Sequence, residues 1–285
     1  MNIISSGSGA GLGHTLTSFN YAIKMSEFLI ASGVDVSLYF KWRCHSSFLN
    51  IYDVNIPYFN SNDPVDLLNT SNCYKYNAKN KTDWNELYKH TNIVVDANSA
   101  ATLEYDFLFK VVRPKSQVCK QIINIVNNLL DCGHYTAIHV RGGDQIKNKY
   151  NLDYEKFLKF HYKRIDDIIS NTNNKILLCS DNQDIVMKYV DNKKIFSTSL
   201  VYDLYNESVV INPECAIHSR LIHQQPHMDE RVDLSATIDL FLLIFSNKLY
   251  ADVENSGYAQ LAAKFNKEFL KRKITINDTL NLKSA

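Results

Sequence analysis

The 285-residue chain is poor in glycine, with nine residues, about 3% against a usual 7% or so. Proline is scarcer still, at five, and neither an internal repeat nor a low-complexity tract is seen. Neither sign of charge dominates, with 31 Lys and Arg against 30 Asp and Glu. Without a global field to steer a polyanion, nucleic acid is not expected as the main partner. No apolar run reaches the roughly 18 residues that a membrane span needs; the longest candidate is Ile238–Phe245. The amino terminus, Met-Asn-Ile-Ile-Ser-Ser-Gly, has neither basic leader nor apolar core of a secretory signal. Cys44, Cys73, Cys119, Cys132, Cys179 and Cys215 include no C-x-x-C pair, which makes a disulfide framework improbable and a reducing compartment the simplest home. A soluble, cytoplasmic protein is therefore expected, and at about 150 residues per domain the length suggests two domains.

Scarcity makes the position of each glycine informative. Gly7, Gly9, Gly11 and Gly13 crowd one amino-terminal loop, Gly142 and Gly143 follow an apolar segment, and Gly257 sits in a short polar stretch. Gly33 and Gly133 each stand where a helical pattern stops and a strand begins, the usual place for a left-handed cap.

The hydrophobic pattern predicts an α/β chain. Ile3 and Ile4 read as a first buried strand, and Leu16, Phe19, Ala22, Ile23, Leu29 and Ile30 recur at helical spacing up to Gly33. Val34–Phe40 reads as a second strand, Ile93–Val95 as another, and Cys44 to about Asp83 as irregular. Arg113-Pro114 is expected to open a helix carrying Val118, Ile122, Ile125, Val126 and Leu129. After Gly133 the alternation starts again. Tyr135–Val140 and Lys175–Cys179 read as strands, with a helix from Asp153 to about Ile169 between them and a helix near Asp184–Val190 after them. Short strands are expected at Ile195-Phe196 and Val209–Ile211, a buried helix at Val232–Phe245, then a strand Lys248–Val253 and a helix Tyr258–Leu270. Two α/β units follow, 1–132 and 133–285, with the ligand crevice at the carboxyl ends of the strands.

Two loops could carry chemistry. Gly7–Thr15 precedes a helix whose first amides could meet an anion. It fails the dinucleotide fingerprint, since a start at Gly7 puts Leu12 at the third glycine site and a start at Gly9 puts His14 there. A close-approach ligand role and a mere tight turn both remain open for it. Ile138-His139-Val140-Arg141-Gly142-Gly143-Asp144 is the sharper stretch. Arg141 emerges where a guanidinium can chelate phosphate oxygens through paired donors, and Asp144 could hold it or the loop. A salt-bridged strand end is the alternative; two adjacent glycines favour room for something to approach.

At these residues the sequence resembles the inverting fucosyltransferases whose signature is H-x-R-R-G-D, and among them the bacterial α-1,2 branch. Gly11-Leu12-Gly13-His14-Thr15 stands where that family has G-G-L-G-N-Q, and His139-Val140-Arg141-Gly142-Gly143-Asp144 stands at the signature. Leu152-Asp153-Tyr154-Glu155-Lys156 is similar to L-D-Y-Y-K, and Ser180-Asp181-Asn182 to S-D-D. Ile238–Leu243 and Asn255–Ala262 resemble D-L-L-L-L and S-S-F-S-x-L-A. The motifs follow the family order over almost the whole length.

The resemblance implies two Rossmann-like domains facing a cleft, the GT-B arrangement, with residues 1–132 on the acceptor side and 133–285 binding a nucleotide sugar. It implies transfer of fucose, or a related sugar, from a GDP-sugar to a glycan hydroxyl with inversion and no metal. Arg141 would bind the β-phosphate and steady the departing GDP. Asp239 would accept from the guanine N–H groups, with His139 positioning the base and Asp181 near the nucleotide. Gly11 and Gly13, Ser180 and Asp144, and Asn255, Ser256, Gly257 and Tyr258 complete the donor side, the last group offering donors to the phosphates. Residues 44–104 would shape the acceptor side.

Two departures stand out. The second Arg of the signature is Gly142, so one cation is missing. The loop Asn is His14, a group able to hold a proton near neutral pH. His14 is a candidate general base on the acceptor hydroxyl, or a donor to the glycosidic oxygen; a helix-start His bonded to backbone is the plain alternative. A transferase using another nucleotide sugar, or a non-catalytic nucleotide or glycan binder of the same fold, are the competing functions.

Cys215, His218, His223 and His227, with Glu214 and Asp229, raise the question of zinc. Their spacing fits no strong metal template, so no metal site is expected and a His-rich loop is the simpler reading. Lys264, Lys267, Lys271, Arg272 and Lys273 read as a solvated basic face, allowing at most peripheral contact with an anionic membrane.

Overall fold

The computed structural model describes residues 1–6, 12–41, 45–69, 73–77, 84–96, 103–142, 149–151, 153–201, 230–254 and 256–280. The chain divides into two compact units, Met1–Lys115 and Ser116–Ala285. Helix Ser116–Leu129, at the start of the second unit, packs against helix Glu230–Phe245.

In the first unit, strands β1 (Asn2–Ser6), β2 (Ser37–Lys41), β4 (Phe59–Asn60), β5 (Cys73–Asn77) and β6 (Asn92–Asp96) form one sheet in the order β4-β2-β1-β6-β5. Every pairing in it is parallel. Strand β1 is central; the chain proceeds from it to β2 on one side and later returns to β6 on the other, which makes a topological switch point between β1 and β6. Ile3 and Ile4 are fully buried there. Helix Leu12–Ala31 buries Leu16, Phe19 and Ala22, and the Phe19 ring lies 4.5 Å from Phe40, giving the helix an aromatic anchor on the sheet.

The expected helix start at Arg113-Pro114 is corrected. These residues end β7 (Val112–Pro114), which pairs antiparallel with β3 (Tyr52–Val54) in the register Asp53↔Arg113. Pro114 has no N–H to continue a ladder, and the helix begins at Ser116. Gly33 and Gly133 have φ of +86° and +95°, as expected of left-handed caps.

In the second unit, β8 (Tyr135–Val140), β9 (Lys175–Ser180), β10 (Ile195–Phe196) and β11 (Lys248–Ala251) form an all-parallel sheet in the order β10-β9-β8-β11. All six residues of β8 are buried, as a central parallel strand covered on both faces requires. Here the switch point lies between β8 and β11. Helix Glu230–Phe245 is apolar nearly all round and buries Leu240 to Phe245. Its end is held by Asn266, whose Nδ2 donates to the carbonyls of Ile244 (2.9 Å) and Ser246 (2.7 Å). Val209–Ile211 lies outside the described residues.

Candidate functional site

In open parallel sheets ligands gather outside the carboxyl ends of the strands that flank the switch point. Both units place polar residues at that point.

In the first unit the glycine-rich loop was expected to run through Thr15, but the helix already begins at Leu12, so Gly13 and His14 lie in its first turn. Gly13 is buried, and its carbonyl accepts from Thr17 Oγ1 at 2.8 Å. His14 Nε2 lies 2.9 Å from Oδ1 of Asp96. Asp96 is the last residue of β6, and Ser5↔Val95 are partners in the register. The pair therefore ties the start of the helix that follows β1 to the end of β6. The His14 side chain is 18% exposed and that of Asp96 46%. Sequence reasoning placed His14 but missed Asp96; the available signal was an acid directly after the apolar Ile93-Val94-Val95. Gly11 lies outside the described residues.

In the second unit, His139 and Arg141 flank the last residue of β8. His139 is buried, and its ring centre lies 5.4 Å from that of Tyr258, tilted by 34°. Burial, above all, pulls its pKa down to about 4; the Asp181 carboxylate opposes this and the Arg141 guanidinium reinforces it. The ring is neutral at pH 7, suited to stacking and neutral hydrogen bonds. Its Nδ1 is buried without a hydrogen-bond partner, as is Oδ2 of Asp252. Asp252 follows β11, directly after Ala251, which pairs with His139. Lys149 Nζ approaches its Oδ1 at 3.7 Å. A buried carboxylate oxygen left without a partner is rare in native proteins, and this one lies beside the switch point. It too was missed in the sequence, where Asp252 reads as part of a strand.

The expectation that Gly142 clears room for a ligand is corrected. A Cβ on Gly142 would lie 3.1 Å from Asp181 Oδ1 and 3.3 Å from Asn182 Cβ. The neighbouring β9 loop fills that space. Gly142 N–H donates to Asp181 Oδ1, so Asp181 steadies the strand end with one oxygen. Ser180 Oγ accepts from Asn182 N–H at 3.1 Å, and Asn182 caps the next helix through Ile185 N–H.

Asp239 lies on the buried helix and accepts from Thr198 Oγ1 and from the Cys179 thiol. Burial raises its pKa from 3.8 to about 7, the two hydrogen bonds only partly offsetting this. Ser256 is the N-cap of helix Gly257–Arg272, its Oγ accepting from Ala259 N–H at 3.2 Å. Tyr258 donates its hydroxyl to the Ala236 carbonyl at 2.8 Å, tying that helix start to the helix of Asp239. The structure thus brings His139, Arg141, Gly142, Ser180, Asp181, Ser256, Gly257 and Tyr258 to one end of one sheet. Asp144 and Asn255 lie outside the described residues, as does the run from Cys215 to Asp229. Among the described residues no group of three or more His, Cys, Asp or Glu is placed to hold a metal ion.

Each unit is built on an all-parallel main sheet with polar residues at its switch point, and the chain has an α/β fold of the GT-B type. Solved structures with this fold include the NodZ α-1,6-fucosyltransferase soaked with GDP-fucose, at a TM-score of 0.54 and 14% identity over 92% of this chain and 91% of that one. NodZ α-1,6-fucosyltransferase co-crystallised with GDP matches at 0.54 and 16% over the same shares. The fucosyltransferase NodZ from Bradyrhizobium matches at 0.55 and 16%, again over 92% and 91%. No protein-family model matches the sequence, and no curated protein does. At these identities the likeness is one of fold. No helix among the described residues is long and apolar enough to cross a membrane.

Proposed function

We propose that this protein is a metal-independent, inverting glycosyltransferase that moves fucose, or a closely related sugar, from a GDP-sugar to a glycan hydroxyl. The observation that carries the reading is the fold shared over nine-tenths of the chain with NodZ, whose structures were solved with GDP-fucose and GDP. The motif resemblance agrees with it. In this reading the second unit binds the donor and the first handles the acceptor.

Each residue then has a chemical task. The Arg141 guanidinium, leaving β8 beside neutral His139, stabilises the charge that builds on the β-phosphate as the glycosidic bond breaks. Asp239 in its ionised form accepts from the paired N–H donors of guanine, and His139 with Tyr258 forms the ring surface on which the base rests. The amides that open helix Gly257–Arg272 and the Ser256 hydroxyl suit the diphosphate. His14 takes the proton from the acceptor hydroxyl. The motifs point toward α-1,2 linkage, whereas the solved structures are α-1,6 enzymes; NMR of the product assigns the bond formed.

Calorimetry tests the donor: GDP binds and UDP does not. In a transfer assay Arg141→Ala lowers kcat by about 10² to 10³, the loss expected on removing one preorganised charge-stabilising donor. Equal binding of UDP, or full turnover without Arg141, overturns the reading. A binder without turnover would take up GDP and release no free sugar from GDP-fucose.

A further inference from the structure

We propose that the second unit carries a binding site for a neutral saccharide, in a cavity between helices Ser116–Leu129 and Gly257–Arg272 at the amino end of its sheet. No sequence motif marks it. The site stands apart from the proposed donor site and does not depend on whether the protein transfers sugar.

The cavity has a volume of about 460 Å³, which lies in the range of small-molecule sites. Its floor is apolar, formed by the buried side chains of Val126, Phe245 and Phe269, the two rings having centres 5.0 Å apart. Its rim is polar, formed by the exposed residues Asn127, His134, Asn247, Thr275 and Asn277. Position separates this cavity from the nucleotide chemistry. His134 stands directly before β8 and Asn247 directly before β11, whereas His139 and Arg141 lie at the carboxyl end of β8. The six residues of β8 put about 20 Å between the two ends.

The lining selects the ligand chemistry. Among the described residues no Asp, Glu, Lys or Arg lines the cavity, so a phosphate, carboxylate or ammonium group would give up hydration there without a charged partner. A purely aliphatic ligand would cover the amides of the rim and leave them unpaired. A neutral polyhydroxyl compound with one apolar face suits both surfaces. A side-chain amide presents a donor and an acceptor side by side, which neighbouring hydroxyls match, and Asn127, Asn247 and Asn277 supply three amides. Asn247 Oδ1 accepts from Tyr135 N–H at 3.1 Å, which fixes that amide at the head of β8. Leu270 and Ile274 are exposed and border the same cavity, so the C–H face of a bound sugar ring removes part of their apolar surface from water. For a glycan chain such a site is a second point of attachment, which raises the local concentration of that chain around the protein.

The test uses the intact protein with lactose, cellobiose and N-acetylglucosamine as probes. Methyl NMR follows Ile123 and Ile276, which both line the cavity; their signals are assigned through Ile123→Val and Ile276→Val. At millimolar concentration at least one of the sugars shifts both methyl signals saturably, and saturating GDP leaves that affinity within about twofold. Asn127→Trp fills the mouth of the cavity from an exposed helix position and abolishes the shifts, with Tm and GDP affinity unchanged. Asn277→Ala removes one amide and weakens sugar binding about tenfold. Uridine, inorganic phosphate and octanoate, titrated in the same way, represent the competing ligand chemistries. The proposal is overturned if no sugar gives saturable shifts, if any of these three compounds binds more tightly than the sugars, if GDP displaces the sugar, or if sugar binding survives both substitutions. None of these outcomes touches the transferase reading, which the GDP and transfer assays decide.

Discussion

The backbone N–H of Gly142 donates to Oδ1 of Asp181, binding the residue two past the end of β8 to the residue just past the end of β9. The signature that this segment resembles has an arginine at position 142. Here the neighbouring loop packs where its Cβ would go, 3.1 Å from Asp181 Oδ1 and 3.3 Å from Asn182 Cβ. Gly142→Ala is therefore expected to cost about 1 kcal/mol through overpacking, a fall in Tm of about 2–4 °C by calorimetry for a chain of this size. Gly142→Arg should destabilise at least as much and fail to raise turnover. An arginine that fits without loss of Tm would show that the Asp181 loop yields easily, and the close packing would not explain the glycine.

If Asp239 reads the guanine as proposed, its burial makes donor affinity pH-dependent. Its folded pKa is raised from 3.8 to about 7, so the neutral form is favoured in the native state. The sign follows: its contribution to stability is present below the unfolded pKa and is lost as pH rises from about 4 through 7, a loss on the order of 4 kcal/mol. Guanine donors need the ionised form, so GDP binding below pH 7 must release a proton. Affinity should rise by about tenfold per pH unit from 5 toward 7 and level off above it. Calorimetry in two buffers of different ionisation enthalpy measures the released proton directly. Asp239→Asn should bind GDP weakly with no such dependence, and should gain stability relative to the wild type as pH rises. Binding that is flat from pH 5 to 8 would remove Asp239 from the base site.

The strands with continuous apolar runs were legible from the sequence, since Tyr135–Val140 and Lys175–Cys179 announce burial on both faces. Strand β5 was not. Cys73-Tyr74-Lys75-Tyr76-Asn77 is a polar edge strand with exposed Lys75 and buried Tyr76, and its stability comes from pairing with β6 and from Tyr76, whose hydroxyl accepts from Trp84 Nε1 at 3.1 Å. Such partners lie outside the strand itself and leave no alternating pattern within it. The same holds for the site. Motifs can mark His139 and Arg141, but the closeness of His14 to Asp96, and of Gly142 to Asp181, depends on strand order. An acid that ends a strand becomes meaningful only when the neighbouring strand is known, which is why Asp96 and Asp252 escaped notice.

The helix start at Gly257 separates backbone from side-chain roles. Ser256 caps it through Ala259 N–H, and a Cβ on Gly257 would meet nothing within 4 Å. Ser256→Ala should cost about 1 kcal/mol and also weaken GDP binding through the lost hydroxyl. Gly257→Ala keeps every backbone N–H, and by restricting the unfolded chain should add about 0.4–1 kcal/mol with GDP affinity unchanged. Urea melts paired with GDP titrations check both. If Gly257→Ala abolished binding, a ligand would have to pass within contact distance of that Cα, and the helix start would be a steric site and not only an electrostatic one.

His161 offers a stability switch outside the proposed chemistry. It is fully buried between Phe157, whose ring centre is 4.6 Å away, and Tyr150, whose hydroxyl lies 3.4 Å from Nε2. Its Nδ1 has no hydrogen-bond partner. Burial pulls its pKa from 6.5 to about 4, Arg164 reinforcing this and Asp252 opposing it. For a base whose folded pKa is depressed, the unfolded chain takes the proton first as pH falls below 6.5. Stability is therefore complete above that value and declines steadily toward pH 4, by on the order of 3 kcal/mol from this group. His139, also at about 4, adds a parallel slope that the comparison leaves constant. His161→Phe keeps the aromatic packing and removes the titrating group. Its urea midpoint should consequently fall less between pH 7 and 4.5 than that of the wild type, whatever the two midpoints are at neutral pH. Parallel curves for the two proteins would mean that His161 reaches a proton partner or solvent in the native state, and that the acid sensitivity arises elsewhere.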